Sequence, residues 1–289
     1  MTSDKWADWL LRRRDGGSAG IREQFAPQLI AYRDGVLDRA AIVSGDTVLD
    51  VGTGTGLIGL GALDRVGPGG RVIFTDVSAT LLHEVRKHAD GFRSSFVQAA
   101  ADDLAEVPDE TADVVTTRSV LIYVAGKREA FAEFHRVLRP GGRLSIFEPI
   151  NSFPVALGKD ILFGLDPGPV ADLTEKVLAE YRTAGPADNP MIDFDERDLV
   201  RWAVQAGFTG VRLDYRAEID VPGPPIADWP ALKRTAPNPL AATYEEAMAT
   251  ALTPAERDRL DAHVESLVRA ATPTRHTMAT AFLSATRPA

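Results

Sequence analysis

The chain has 289 residues, of which 45% are hydrophobic and 25% charged, and its formal net charge is −9. These proportions are ordinary for a soluble globular protein, and the length allows one large domain or a core with a substantial insertion. The acidic balance argues against a nucleic-acid-binding protein, because such proteins present a clustered positive face to phosphates. The sequence contains no cysteine, which excludes disulfides, thiolate metal sites and cysteine nucleophiles.

The sequence predicts a cytoplasmic protein, because the absence of cysteine fits a reducing compartment. The N-terminal sequence lacks a basic region followed by an apolar stretch, so no secretory signal is visible. No apolar run approaches the ~20 residues that span a bilayer. Three consecutive arginines at positions 12–14 follow Trp9, Leu10 and Leu11. This pattern favours the solvated side of an amphipathic helix over a membrane-surface role.

The predicted elements begin with a helical N-terminal cap over residues 1–44, where apolar residues recur near helical spacing. Short apolar runs then alternate with helical stretches, which is typical of a parallel sheet covered by helices. Strands are predicted at 47–51, 71–76, 95–99, 113–117 and 143–147, and helices at 56–66, 79–89 and 127–138. Residues 45–149 are therefore predicted to form an α/β core.

The pattern changes after Pro149. Residues 150–194 are interpreted as an insertion rich in proline and glycine, and 195–221 as a continuation of the core with a strand at 211–215. Residues 222–275 are interpreted as a second helical insertion, in which a capping box at Thr253 predicts a helix to about residue 270. Residues 276–289 are predicted to contribute the final strand, at 278–284.

The two insertions are too long to be simple loops. They carry large apolar side chains: Phe153, Leu157, Ile161, Leu162, Phe163, Trp229 and Tyr244. We interpret the insertions as a helical lid that forms an apolar pocket over the carboxyl edge of the sheet. The alternative interpretation is a homodimer surface, and one segment could serve both purposes.

The strongest functional signal is the run VLDVGTGTGL at residues 48–57. A buried strand leads into a glycine-rich turn that opens a helix, and glycine is needed where the backbone turns sharply and a ligand approaches closely. Asp76 ends the next strand, where a carboxylate accepts hydrogen bonds from both hydroxyls of a ribose. The loop and Asp76 together predict an adenosine-type cofactor, and a turn with a surface aspartate is the structural alternative.

The glycine spacing bears on the kind of cofactor. Nicotinamide dehydrogenases space these glycines as G-x-G-x-x-G. Here the glycines considered stand at 52, 54 and 56, and Leu57 occupies the position where that pattern requires glycine. Asp50 precedes the first glycine by two residues, where a carboxylate would repel a pyrophosphate. It suits instead a ligand that carries an ammonium and a sulfonium.

Residues 50–56 resemble the first motif of the class I S-adenosylmethionine-dependent methyltransferases, particularly the quinone-biosynthesis C-methyltransferases and similar bacterial small-molecule methyltransferases. The resemblance continues through residues 76–78, 97–104, 113–115 and 136–142, and so covers about 45–149 in order and spacing. It implies a Rossmann-like α/β fold: a seven-stranded, mostly parallel sheet with helices on both faces and a helical lid. It further implies S-adenosylmethionine as the cofactor and methyl transfer to oxygen, nitrogen or carbon.

The resemblance also implies a set of cofactor-binding residues: Asp50, Gly52, Thr53, Gly54, Thr55, Gly56, Asp76, Val77, Ala101, Asp102 and Arg118. In such a site the glycine loop and Arg118 lie near the methionine end, and Asp76 holds the ribose. Ala101 and Asp102 meet the adenine. Relatives often carry Asp or Asn where this chain has Ala100, so Asp102 or Asp103 is expected to substitute.

The substrate predicted from these residues is a small molecule. Residues 116–123 lack the Asn/Asp-Pro-Pro-Tyr/Phe motif of methyltransferases that act on bases, which argues with the acidic charge against DNA or RNA. Arsenite methyltransferases share much of this core but depend on cysteines. Neither an acidic ligand cluster nor a histidine pair with convincing spacing is present, so no metal is expected.

Methyl transfer from a sulfonium is an in-line displacement, in which an enzyme mainly aligns donor and acceptor and excludes water. A general base is needed only if the acceptor loses a proton. Tyr123 and Glu148 follow the fourth strand and end the fifth, so both are candidate catalytic residues facing the acceptor. Alternatively Tyr123 is core and Glu148 caps a loop. His276 and Tyr181 are further candidates from the lid.

A function of a different class stays open. Some proteins of this fold bind the cofactor without transferring its methyl group, either as pericyclase-like catalysts or as binding modules. Formation of S-adenosylhomocysteine with a real acceptor distinguishes the two functions.

Overall fold

The computed structural model describes residues 4–89, 93–158, 162–184 and 188–289, so Ile161 lies outside the described residues. The chain divides into two compact units. The first, here called the sheet unit, comprises Gln28–Phe153, Pro190–Arg216 and Ala279–Ala289. The second unit comprises Met1–Pro27, Pro154–Asn189 and Ala217–Met278.

In the described part of the chain, seven strands form one sheet in the order β3-β2-β1-β4-β5-β7-β6. They are β1 (Thr47–Val51), β2 (Arg71–Asp76), β3 (Ser94–Gln98), β4 (Ala112–Arg118), β5 (Leu138–Pro149), β6 (Thr209–Gly223) and β7 (Thr274–Thr286). The pairs among β1 to β5 are parallel, whereas β7 pairs antiparallel with β5. The predicted mostly parallel, seven-stranded sheet is confirmed.

Helices connect these strands and extend into the second unit. They are α1 (Lys5–Asp8), which continues as a π-helix over Trp9–Arg13, α2 (Ala19–Arg39), α3 (Leu57–Val66), α4 (Ala79–Arg86), α5 (Lys127–Val137), α6 (Ser152–Ala156), α7 (Ala171–Ala184), α8 (Glu196–Gln205), α9 (Trp229–Lys233), α10 (Tyr244–Ala251) and α11 (Pro254–Arg269). Single 3-10 turns cover Leu121–Tyr123, Leu162–Gly164 and Gly168–Val170. The capping box predicted at Thr253 begins α11.

The central strands are buried on both faces. All five residues of β1 are buried, and its alternating side chains enter two apolar clusters: Leu49 enters one cluster and Val48 the other. Phe131 of α5 packs in the cluster of Leu49, and Ile58 of α3 packs in the cluster of Val48. Since successive side chains of a strand point to opposite faces, helices cover both faces of the sheet, as predicted.

Four strands are longer than predicted: β4 by one residue at each end, and β5, β6 and β7 by more. β5 begins at Leu138 and includes Gly141, with a register shift against β4 between Ala112 and Val114. The Pro-Gly-Gly run was predicted to precede this strand, whereas it lies within the strand as an irregularity of the ladder. β6 and β7 extend well beyond 211–215 and 278–284. In β6, apolar residues alternate strictly with charged ones from Val211 to Val221, so the pattern for the longer strand was present in the sequence and was missed beyond residue 215.

The second unit has its own apolar core. Its members come from α7, α9, α10, α11 and the 3-10 turns: Leu162, Leu165, Val170, Leu173, Val177, Trp229, Ala247, Met248, Leu252, Leu260 and Val264. The indole N–H of Trp229 donates to Asp261 Oδ1 over 2.8 Å. Leu162 and Trp229, which the sequence places in the lid, are therefore core residues of this unit. No helix among the described residues is long and apolar enough to cross a membrane.

Candidate functional site

The glycine loop connects β1 to α3 at the carboxyl edge of the sheet. Gly52, Gly54 and Gly56 have φ angles of 64°, 55° and 86°, which glycine adopts without the steric cost that other residues meet. A Cβ on Gly52 would lie 2.3 Å from Cγ2 of Val120. The first position of the loop therefore requires glycine for two reasons, its backbone conformation and the side chain above it.

Asp50 holds this loop through hydrogen bonds of its carboxylate. It is buried, and its Oδ2 accepts hydrogen bonds from Thr53 Oγ1 over 2.6 Å and from the N–H of Gly59 over 2.9 Å. Its Oδ1 accepts from Thr116 Oγ1 on β4 over 2.9 Å. Burial raises the pKa of Asp50 to about 6, against the opposing effect of these hydrogen bonds. The structure thus gives Asp50 a role in shaping the loop, and its contact with a cofactor ammonium stays a prediction.

Asp76 joins the loop to the end of β2. Its Oδ2 accepts from the N–H of Gly54 over 2.8 Å, and its Oδ1 accepts from the N–H of Ser78 over 2.9 Å. The N–H of Thr53 donates to the carbonyl of Thr75 over 2.8 Å, which ties the loop to β2 a second time. Both carboxylate oxygens of Asp76 thus hold backbone N–H groups, and its contact with ribose hydroxyls stays a prediction.

A cleft of about 400 Å³ lies beside the ends of β2 and β3, within the size range of small-molecule sites. Its lining consists of Val77, Gln98, Ala99, Ala100, Asp103, Ala105 and Glu106. Ala101 is buried, and Asp102 lies close to the backbone of Gly126, whose Cβ position is 2.8 Å from Asp102 Oδ2. Of the two acidic residues expected to replace the missing side chain at Ala100, Asp103 is the one that lines the cleft with Val77.

The segment after β4 brings further predicted residues to the same edge. Arg118 ends β4, and its guanidinium lies 5.9 Å from the centroid of the Tyr32 ring. Tyr32 stacks on Phe147 of β5 with centroids 4.1 Å apart. Tyr123 occupies the 3-10 turn and is half-buried against the apolar cluster of Leu49. Sequence analysis missed Tyr32, because nothing local distinguishes it from other residues of α2.

Glu148 lies near the end of β5 and is fully buried. Its Oε1 accepts from the N–H groups of Val120 and Leu121 over 2.9 and 3.0 Å, and its Oε2 accepts from Ile122 over 3.3 Å. Burial raises its pKa to about 7, while these hydrogen bonds and the charge of Arg118 act in the opposite direction. This geometry favours the loop-capping interpretation of Glu148 over contact with an acceptor.

The two candidates from the predicted lid belong to the second unit. His276 Nε2 lies 2.9 Å from the Glu218 carboxylate. The Tyr181 hydroxyl donates to the carbonyl of Ala242 over 3.3 Å, and its ring lies 5.4 Å from that of Tyr244. Burial, reinforced by Tyr244, raises the pKa of Tyr181 above its usual range. Both side chains thus have partners within their own unit, and their catalytic roles stay predictions.

Sequence analysis missed Gly59, which is as constrained as the loop glycines. A Cβ there would lie 2.4 Å from the Phe74 ring and 2.9 Å from Asp50 Oδ2. The signal was present in the spacing, since positions 54, 56 and 59 also match G-x-G-x-x-G. The glycine spacing alone therefore does not exclude a nicotinamide cofactor. The feature that still favours a cationic cofactor over a pyrophosphate is the acidic character of the loop, because the carboxylates of Asp50 and Asp76 are both bonded to it.

The residues present fit an adenosine cofactor with a cationic end. Positive φ angles at Gly52, Gly54 and Gly56 let the loop turn tightly at the end of β1. Asp76 at the end of β2 and Arg118 at the end of β4 are the residues that would bind the ribose hydroxyls and the carboxylate of such a cofactor. These residues suit a cofactor without phosphate groups, because the side chains bonded to the loop are the carboxylates of Asp50 and Asp76, which repel anions.

Comparisons with known proteins identify the family. A methyltransferase domain model matches residues 48–142. UbiE, the ubiquinone/menaquinone biosynthesis C-methyltransferase, of Pseudomonas paraeruginosa is 38% identical over 183 residues, covering 61% of this chain and 70% of that protein. UbiE of Hahella chejuensis is 37% identical over 116 residues, covering 39% of this chain and 46% of that protein. The chain thus spans about half the length of the Hahella relative.

The fold also matches solved structures. The crystal structure of the [4+2]-cyclase SpnF superposes with a TM-score of 0.51 at 20% identity, covering 95% of this chain and 85% of that one. Such low identity establishes a shared fold alone. The match to UbiE of Pseudomonas paraeruginosa covers more than two thirds of that protein's length. The residues matched by the methyltransferase domain model include the glycine loop, Asp76 and the segment after β4. The chain therefore belongs to the class I S-adenosylmethionine-dependent methyltransferases, whose cofactor it shares.

Proposed function

We propose that this protein transfers a methyl group from S-adenosylmethionine to an oxygen, nitrogen or carbon atom of a small organic molecule and releases S-adenosylhomocysteine. The observation that carries the proposal is the 38% identity to UbiE over 70% of that protein's length. The printed name of this relative is that of a C-methyltransferase of quinone biosynthesis. An acceptor of comparable size and a biosynthetic role follow by analogy.

The chain's own part in this reaction is binding and orientation. S-adenosylmethionine supplies an electrophilic methyl group on a sulfonium when it is bound. Asp76 would accept hydrogen bonds from the ribose, Asp103 would lie beside the adenine, and Arg118 would neutralise the methionine carboxylate. Because an in-line displacement needs alignment more than covalent assistance, these contacts are the main contribution of the protein. Tyr123 is the candidate residue to bind or take up a proton that the substrate loses, since its loop follows β4 at this edge.

A small acceptor is favoured over a macromolecule by two properties of the sequence. The segment 116–123 has no proline and so lacks the base-directed motif, and the net charge of −9 opposes binding to a polyanion. Neither property depends on the atom that receives the methyl group. Oxygen, nitrogen and carbon acceptors are therefore separate arms of one experiment.

The test uses S-adenosylmethionine with a deuterated methyl group and a bacterial metabolite extract. Purified protein is expected to form S-adenosylhomocysteine and to place the label in the small-molecule fraction, where mass spectrometry identifies the methylated atom. Label in nucleic acid or protein would contradict the acceptor class. Consumption of a metabolite without S-adenosylhomocysteine formation would favour the non-methylating alternative instead.

A further inference from the structure

One buried carboxylate holds the segment that follows β4. Glu148 accepts hydrogen bonds from the N–H groups of three consecutive residues, Val120, Leu121 and Ile122. Successive N–H groups that converge on one anion form an anion-binding nest. Here the anion is a side chain of the protein itself, and it is fully buried. The segment Ser119–Tyr123, here called the β4 loop, is thus clamped to β5.

The conformation of the β4 loop shows that it is held under constraint. Ser119 has φ of 54°, in the left-handed region, which a residue other than glycine adopts when its surroundings impose it. Its N–H donates to the carbonyl of Phe147 over 2.8 Å. Two adjacent residues of β5 therefore fix the loop, Phe147 through its backbone and Glu148 through its side chain.

The β4 loop in turn packs on the cofactor loop. The position that a Cβ of Gly52 would take lies 2.3, 3.1 and 3.3 Å from the Cγ2, Cγ1 and Cβ atoms of Val120. The isopropyl group of Val120 thus sits directly on the first glycine of the cofactor loop. Because close-packed interiors transmit small displacements, a shift of Val120 changes the position that Gly52 can adopt.

We propose that Glu148 is a positioning residue for cofactor binding, which fixes the β4 loop through three N–H groups and thereby fixes Gly52 through Val120. It does not touch the cofactor, since its side chain has no exposed surface. The inference goes beyond the proposed methyl transfer, because it requires the cofactor alone and holds for any acceptor. A binding experiment without an acceptor therefore tests it separately from the proposed function.

The clamp depends on the charge of Glu148. The ionised carboxylate is the stronger acceptor at both oxygens, whereas protonation places a donor on one oxygen and weakens its hydrogen bonds from the N–H groups. Burial raises the pKa of Glu148 to about 7, and the positive charge of Arg118 at the end of β4 acts in the opposite direction. Tyr123 is the titratable residue of the β4 loop itself. Cofactor affinity is therefore expected to rise as the pH increases through about 7.

The experiment measures the dissociation constant of S-adenosylhomocysteine by calorimetry between pH 6 and 8.5. Glu148→Ala is expected to weaken binding about 2- to 30-fold, the usual range for residues that act on a ligand through others. Glu148→Gln keeps one acceptor oxygen and should weaken binding less, and it should lose the pH dependence near 7. A dependence near 6 that persists in this variant belongs to Asp50.

Ser145→Ala is the matched control. Ser145 is fully buried on the same strand, and its hydroxyl donates to the carbonyl of Val36 over 2.8 Å. This variant should lose thermal stability and keep the affinity and pH dependence of the wild type. A Glu148→Ala protein that folds and binds as tightly as wild type across this pH range would overturn the inference.

Two further measurements decide the matter if Glu148→Ala does not fold. In Glu148→Gln, faster hydrogen exchange at the amides of Val120, Leu121 and Ile122 together with weaker binding supports the clamp. Faster exchange with unchanged affinity overturns it. A double-mutant cycle of Glu148→Gln with Val120→Ala should be non-additive for binding. Additive effects would exclude Val120 as the connection to Gly52.

Discussion

Replacement of Asp76 by alanine separates two jobs of one carboxylate. In the structure this side chain accepts the N–H of Gly54 over 2.8 Å and the N–H of Ser78 over 2.9 Å. It therefore supports the cofactor loop before any ligand arrives. From the sequence alone, Asp76 is expected to act on ligand affinity and to leave the free protein unchanged. The structure predicts that both properties change.

The magnitudes follow from the number of hydrogen bonds. A hydrogen bond to an ionised group contributes about 1.5–3 kcal/mol, so loss of two removes at most about 3–6 kcal/mol from the free energy of unfolding. Water that enters beside Gly54 moves the loss towards the lower value. At about 2–4 °C per kcal/mol, the melting temperature of the free protein should fall by roughly 6–12 °C. Each ribose bond lost should weaken cofactor affinity by about 10- to 150-fold.

The assay combines thermal unfolding of the free protein with calorimetry of S-adenosylhomocysteine. Asp46→Ala is the control, because Asp46 is also buried and also accepts a backbone N–H, that of Val43 over 2.9 Å, but precedes β1 at the opposite edge. The control should lose stability and retain affinity. If Asp76→Ala melts as the wild type does, its bonds to the loop contribute nothing to folding. If it binds normally, the ribose is held by another residue.

Three further predictions concern the same region. Gly52→Ala should lower both thermal stability and cofactor affinity more than Gly141→Ala, since both glycines have positive φ but only Gly52 of the two lies under Val120. Thermal unfolding and calorimetry measure the difference, and equal losses in the two variants would show that contact with Val120 does not matter. Asp50→Asn should flatten the pH dependence of the free energy of unfolding, measured by urea denaturation from pH 4 to 8. Folding raises the pKa of Asp50 from 3.8 to about 6. The contribution of Asp50 to the free energy of unfolding is therefore fully present below about pH 3.8 and declines by about 3 kcal/mol as the pH rises through 6. An unchanged pH dependence in Asp50→Asn would refute this expectation. Tyr123→Phe should leave the affinity for S-adenosylhomocysteine unchanged. For an acceptor that must lose a proton, turnover should be about 100-fold slower or more. Unchanged turnover would assign Tyr123 to the core.

The parts of the fold that the sequence predicted best are those with local causes. The bounds of β1 and β2 agree with prediction at both ends, because each is a short, β-rich run with glycine next to one end, Gly52 after β1 and Gly70 before β2. The helix starts at Ser78, Asp195 and Thr253 also carry their own capping signals. β6 is mostly exposed along its 15 residues, yet its apolar residues alternate with charged ones from Val211 to Val221. This local signal predicts more of the strand than residues 211–215, whereas the position of β6 beside β7 is not encoded locally.

The site was predictable for the same reason and to the same limit. Glycine spacing and a carboxylate at the end of β2 are local, and the structure joins them through the hydrogen bond from the N–H of Gly54 to Asp76. The hydrogen bonds of Asp50 and Glu148 join residues far apart in sequence: Asp50 to Thr116 across 66 positions, and Glu148 to Val120 across 28. A single sequence shows that a carboxylate is present at such a position. Whether it faces a ligand or a backbone amide depends on the fold.

The two buried carboxylates give this site an unusual dependence on pH. Folding raises the pKa of Glu148 from 4.5 to about 7. Its contribution to the free energy of unfolding is therefore fully present below about pH 4.5 and declines as the pH rises through 7. The clamp on the β4 loop requires the ionised form, so cofactor affinity should increase over the interval in which this contribution declines. A residue with a purely structural role would move stability and affinity in the same direction. Opposite slopes in the wild type, with both slopes reduced in Glu148→Gln, would therefore identify a carboxylate that improves binding at the expense of folding stability.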